Sequence, residues 1–82
     1  MWDGIKEIDL HGQDINKATA TISLALFEFE QDDYKKYLDI IVGNGTGALK
    51  IRVVEILDKE NYQYDYLNLN HSIIRVYKKT TF

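Results

Sequence analysis

The chain has no cysteine and no proline, five glycines and two histidines in 82 residues. Without cysteine there can be no disulfide, no thiolate zinc or iron–sulfur ligation and no cysteine nucleophile. Without proline, of which about 5% is average, glycines and polar clusters are the only punctuation. No apolar run approaches the roughly 20 residues of a membrane span, and the opening Met1-Trp2-Asp3-Gly4 lacks the basic-then-apolar layout of a secretory leader. The default expectations are a cytoplasmic address and no membrane partner. Positive charge is also in short supply. Ten basic residues against thirteen acids leave a formal net charge of −3, which argues against a nucleic-acid coat protein or a polybasic membrane binder.

What is present suffices for one core. At 45% hydrophobic and 28% charged residues the composition is that of a globular protein, since disordered chains are far poorer in apolar residues. The length is about half of a typical ~150-residue domain, so residues 1–82 are expected to form a single domain. Charge is unevenly spread: residues 1–49 carry four lysines against nine acids, residues 50–82 six basic residues against four acids. A local basic surface is therefore compatible with the acidic total.

Periodicity divides the chain. Residues 5–11 alternate from Glu7 onward, with Ile8 and Leu10 on one face and Glu7, Asp9 and His11 on the other, and predict a strand ended by Gly12. Ile15, Ala18, Ile22, Ala25, Leu26 and Phe29 form the stripe of an amphipathic helix, with Asp14 as its N-cap. The β-branched run 37–42 predicts a buried strand cut off by Gly43. After Gly43-Asn44-Gly45-Thr46-Gly47, the positions Leu49, Val53, Ile56 and Leu57 predict a second helix to about Lys59. Tyr62, Tyr64 and Tyr66 alternate as a third strand, and 73–77 form a fourth, paired with the third as a hairpin. The expected fold is α/β (α+β), a two-layer sandwich in the order β-α-β-α-β-β. Its four-stranded mixed sheet is covered on one face by two helices.

Several residues could carry chemistry. Asp9 and His11 share a face at a strand end, where a carboxylate can orient an imidazole for acid/base work or metal ligation; the plainer alternative is a histidine capping the next turn. Gly43-x-Gly45-x-x-Ala48 formally satisfies the dinucleotide fingerprint, but a full dinucleotide site needs a second mononucleotide half, and only a hairpin follows. The generic reading remains that glycines bring backbone N–H groups to an anion at a helix N-terminus, with Lys50 adding a contact; the alternative is a tight structural turn. His11 and His71 are an acid/base pair for RNA cleavage only if they meet. The tyrosine row offers stacking faces for unpaired bases, a core layer or a dimer contact.

Ile8-Asp9-Leu10-His11-Gly12, followed about thirty residues on by Gly43-Asn44-Gly45-Thr46-Gly47-Ala48-Leu49-Lys50, resembles the small MutS-related (Smr) domain over roughly residues 7–77. The resemblance implies a two-layer sandwich similar to the C-terminal domain of a bacterial translation initiation factor. It also implies nucleic-acid binding, often with DNA or RNA nicking (hydrolysis of phosphodiester bonds), alone or as the C-terminal domain of a MutS-like protein in DNA repair or recombination. On that reading Asp9 and His11 are catalytic, while Gly12, Gly43, Asn44, Gly45, Thr46, Gly47 and Lys50 hold phosphate. A divalent ion, Mg²⁺ or Mn²⁺, is a candidate cofactor. The partners are DNA or RNA, the rest of a MutS-like protein, or a second copy. Two departures bear on activity. The usual His or Thr before the glycine motif is Val42, which cannot hydrogen bond through its side chain, and the connection at 68–71 is short. A non-catalytic binding or docking module is the alternative that Val42 and the net negative charge favour.

Overall fold

The computed structural model describes residues 4–43 and 47–79, in the order β1 (Ile5–Asp9), α1 (Ile15–Gln31), β2 (Tyr37–Ile41), α2 (Ala48–Lys59), β3 (Tyr64–Tyr66) and β4 (Ile73–Tyr77). The element order and the mixed four-stranded sheet agree with the sequence reading. The lateral strand order is β1-β2-β4-β3, with β1 parallel to β2 and β4 antiparallel to both its neighbours.

Local chemistry sets the helix ends. Asp14, in extended backbone, accepts the Lys17 backbone N–H at 2.7 Å and supplies one of the partners that a first helical turn lacks. Beyond α2, Asn61 adopts a left-handed φ of 63°. The Asn61 N–H then reaches the Asp58 carbonyl at 3.2 Å and the Tyr62 N–H reaches that of Leu57 at 2.9 Å, closing the helix in a Schellman motif. Tyr62 and Leu57, the apolar pair that accompanies such a cap, are both buried.

Strand alternation then sorts the side chains. In the registers Ile8↔Ile40↔Ile74↔Tyr66 and Lys6↔Leu38↔Val76↔Tyr64, one sheet face carries the core residues Leu38, Ile40, Ile74 and Val76, which pack with Ala18, Ile22, Ala25, Leu26 and Phe29 of α1 and Val53 and Leu57 of α2. Burying each large side chain in this layer contributes roughly 1.5–3 kcal/mol against the chain entropy. The opposite face carries a charged row, Glu7↔Asp39↔Arg75↔Asp65. Within it Arg75 donates from Nε to Asp39 Oδ1 at 2.9 Å and from Nη2 to Oδ2 at 3.0 Å, and its guanidinium lies 4.7 Å over the Tyr37 ring. Asp39, 5% exposed, holds that guanidinium above its ordinary pKa.

The tyrosines do not form one surface. Tyr62 lies outside β3 and is buried, Tyr64 and Tyr66 stand on the helix side of the sheet, and Tyr77 stands on the other. Tyr62 cannot join the ladder because its N–H is taken by the cap of α2.

Candidate functional site

The carboxyl ends of the parallel strands β1 and β2 lie side by side, and there Gly43 of the second glycine motif meets His11 of the first. Asp9 ends β1. Its Oδ1 accepts the His11 backbone N–H at 3.0 Å and meets His11 Nδ1 at 2.7 Å. These two hydrogen bonds hold the Asp9 carboxyl below the usual carboxylate range. An ionised carboxylate only accepts, so the proton between them resides on Nδ1, and the tautomer this selects has Nε2 as its acceptor. Both side chains are open to solvent, 49% exposed for Asp9 and 69% for His11.

Gly12, at φ +81°, turns the chain immediately after His11, with nothing within 4 Å of the place a Cβ would occupy. Gly43, just past β2 at φ +75°, is different: a Cβ there would sit 3.0 Å from His11 Cβ. The first glycine of the second motif is thus the floor against which His11 packs, and its lack of a side chain is what permits the approach. Asn44, Gly45 and Thr46 lie outside the described residues. Gly47, at φ +90°, caps α2 without a side-chain bond, its carbonyl accepting the Ile51 N–H at 2.9 Å. Lys50, in the first turn of α2, donates from Nζ to the Asn70 carbonyl at 3.1 Å. That contact ties the helix start to the β3–β4 turn and leaves the ammonium two further donors.

Sequence reasoning missed the brace behind this end. Asn68 Oδ1 accepts the Ser72 N–H at 2.9 Å and the Ile73 N–H at 3.3 Å, and Asn68 Nδ2 donates to Ser72 Oγ at 2.5 Å. The Ser72 carbonyl in turn accepts the Val42 N–H at 2.8 Å. An asparagine four residues before a serine in a short turn is the available signal.

His71 does not join His11. It adopts φ 58° and stacks on Tyr66, ring centroids 4.0 Å apart, and no hydrogen bond or ring contact joins the two histidines among the described residues. Val42, which the sequence reading put in the buried run 37–42, is 5% exposed and belongs to the hydrophobic core. Its parity with Leu38 and Ile40 sends the side chain to the helix side, away from the exposed Asp9–His11 pair.

The fit to a divalent ion is poor. Asp9 and His11 are already engaged with each other, and no group of three or more His, Asp or Glu converges among the described residues. A carboxylate-ligated Mg²⁺ or Mn²⁺ would take most of its coordination from water or substrate. No helix among the described residues is long and apolar enough to cross a membrane.

The Smr domain family model matches residues 8–72. Among solved structures, the chain is similar to the Smr domain of Thermus thermophilus MutS2, with 25% identity, a TM-score of 0.80 and coverage of 92% of this chain and 99% of that one. It is also similar to the human small-MutS related domain, with 26% identity, a TM-score of 0.71 and coverage of 88% and 99%. With the Smr domain of NEDD4-binding protein 2 it shares the fold, at 24% identity, a TM-score of 0.75 and coverage of 96% and 91%. No curated protein sequence matches the chain.

Proposed function

This chain belongs to the Smr domain family, and from that membership we propose that it is a nucleic-acid-binding module whose Asp9–His11 end engages, and can cleave, a phosphodiester bond. The observation that carries the reading is the convergence of the two motifs: an imidazole oriented by a carboxylate at 2.7 Å packs on the glycine that leads toward the start of α2. Phosphate is drawn to such a place by the positive end of the helix and by Lys50. His11 Nε2 then accepts the proton of an attacking water, or of the 2′-hydroxyl on RNA, as the new P–O bond forms and the bond to the leaving oxygen breaks. Asp9 is a positioning residue, holding the tautomer that keeps Nε2 free.

A recognition module without cleavage is the second reading. The openness of both side chains and the lack of a third ligand among the described residues favour it, because phosphodiester hydrolysis gains most from water-excluded, charge-compensated sites. The test uses the purified chain and its His11→Ala and Asp9→Asn variants, incubated with supercoiled plasmid and with single-stranded RNA, with and without Mg²⁺, beside a low-salt gel shift. Cleavage lost in His11→Ala with binding retained supports the nuclease reading. Binding without cleavage in any form supports the module, and absence of both overturns the proposal.

A further inference from the structure

At the far end of β2 from His11, two lysine pairs from different parts of the chain meet. Lys35 and Lys36 precede β2, Lys78 and Lys79 follow β4, and the register Tyr37↔Tyr77 brings them together. All four line one shallow cleft of about 560 Å³, with Tyr77 in its wall and Asp33 as the acid among its lining residues. Four of the ten basic residues of a chain with net charge −3 are thus gathered in one place.

The ammonium groups of Lys78 and Lys79 are held by uncharged partners. Lys35 Nζ donates to the Ile5 carbonyl at 3.4 Å, Lys78 Nζ donates to the Asp32 carbonyl and lies 4.8 Å from the Phe29 ring centre, and Lys79 Nζ lies 4.4 Å over the Tyr62 ring. Carbonyls and ring faces fix an ammonium without cancelling its charge. Among the described residues no carboxylate lies within 4.0 Å of the ammonium of Lys36, Lys78 or Lys79. Like charges so gathered repel one another, and an anion with several charges is what relieves them.

We propose that this cleft is a second nucleic-acid contact, gripping successive phosphates of the strand whose phosphodiester bond the His11 end engages; it rests on the nucleic-acid reading above. The two ends are about 20 Å apart along β2, six residues at ~3.3 Å each, which is roughly six steps of a duplex strand at 3.4 Å. One nucleic-acid molecule can therefore reach both.

The test is fluorescence anisotropy of a short labelled DNA duplex and of its single strand over a salt series. The full chain is compared with Lys36→Ala/Lys79→Ala and with Lys17→Ala/Lys59→Ala, which makes the same change in net charge elsewhere on the surface. The cleft variant is expected to lower the slope of log affinity against log salt by about 1.8 on duplex, about 0.9 for each phosphate that a lysine no longer neutralises. The control variant should leave that slope within about 0.5 of the unsubstituted chain's, as its two lysines neutralise no phosphate. Equal reductions in both variants, or an unchanged slope in the cleft variant, overturn the second contact while leaving the His11 reading intact. Failure of the unsubstituted chain to bind either probe overturns both.

Discussion

Alanine at Gly43, compared with alanine at Gly12, separates the backbone requirement of a glycine from its role as a floor for His11. Both glycines hold positive φ, +75° and +81°. A left-handed conformation costs an ordinary residue roughly 1–2 kcal/mol, offset in part by about 0.4–1 kcal/mol from the stiffer unfolded chain. Gly12→Ala, with open space around its Cβ, should therefore lose about 1 kcal/mol. Gly43→Ala carries the same cost and a Cβ placed 3.0 Å from His11 Cβ, inside the ~3.5–4.0 Å optimum for carbon contacts. Relieving such overpacking typically costs about 1–3 kcal/mol, so the total is about 2–4 kcal/mol. A domain of this size has about 4–12 kcal/mol in all, and each kcal/mol moves Tm by about 4–8 °C. Urea and thermal unfolding of the two variants give the difference directly. Because His11 is exposed, part of the cost can be relieved by its moving away, which would break the 2.7 Å bond to Asp9; the ring resonances of His11 by NMR detect that escape. Equal destabilisation by the two alanines, with unchanged His11 resonances, would refute the packing of one motif on the other.

Two further perturbations test the scaffold. Removing Arg75 leaves the nearly buried Asp39 carboxylate alone, so Arg75→Ala should cost about 3 kcal/mol and Asp39→Ala/Arg75→Ala less than the sum of the single changes; urea unfolding of the four chains checks it, and additivity would contradict the coupling. Burial, and then the neighbouring Glu30 that accepts the Tyr62 hydroxyl at 3.2 Å, push the Tyr62 phenol up to about 12. A raised value favours the protonated folded state, so this contribution is whole below the ordinary tyrosine value of about 10 and is lost as pH rises through about 12. Phenolate absorbance should show a late-titrating tyrosine that disappears in Tyr62→Phe, and its persistence in that variant would exclude the assignment.

The helices were legible because a 3.6-residue period extends over 17 residues in α1 and 12 in α2, and Asp14 announces the first of them. The tyrosine alternation overstated β3, because pattern alone does not reveal that the Tyr62 N–H is spent on the α2 cap. Val42 was legible in principle: counting by twos from Leu38 places it on the core face, where it is found. The spacing of two flagged the Asp9–His11 pair, but not for the reason expected: β1 ends at Asp9, His11 lies in the turn beyond it, and the Asp9 carboxylate that accepts the His11 backbone N–H brings the ring alongside. The packing of His11 on Gly43 could not be read, because that contact depends on which strands are neighbours. Nor could strand order, which is set by long-range pairing that inserts β4 between β2 and β3. Summing charge by halves hid the lysine cleft for the same reason, since Lys35 and Lys36 come from the acidic half and Lys78 and Lys79 from the basic one.

Charge placement also dictates how a polyanion can lie on this fold. Sheet-based readers of single strands offer an open face with aromatic rings available for stacking, and here the face away from the helices has the opposite character. Its central row holds three carboxylates against one guanidinium, and that guanidinium is committed to Asp39. Tyr77 donates to Asp65 Oδ2 at 2.6 Å and meets Tyr37 edge to face, centroids 5.6 Å apart, while Arg75 covers Tyr37. A phosphate chain laid across the middle of that face would be repelled, whereas at either end of β2 it meets lysine. On the reading proposed above, nucleic acid would be directed to the ends of the sheet, with Asp9–His11 and Lys50 at one and the four lysines at the other. The acidic row between them disfavours binding flat on the sheet, which is how a chain of net negative charge can direct a polyanion to chosen places.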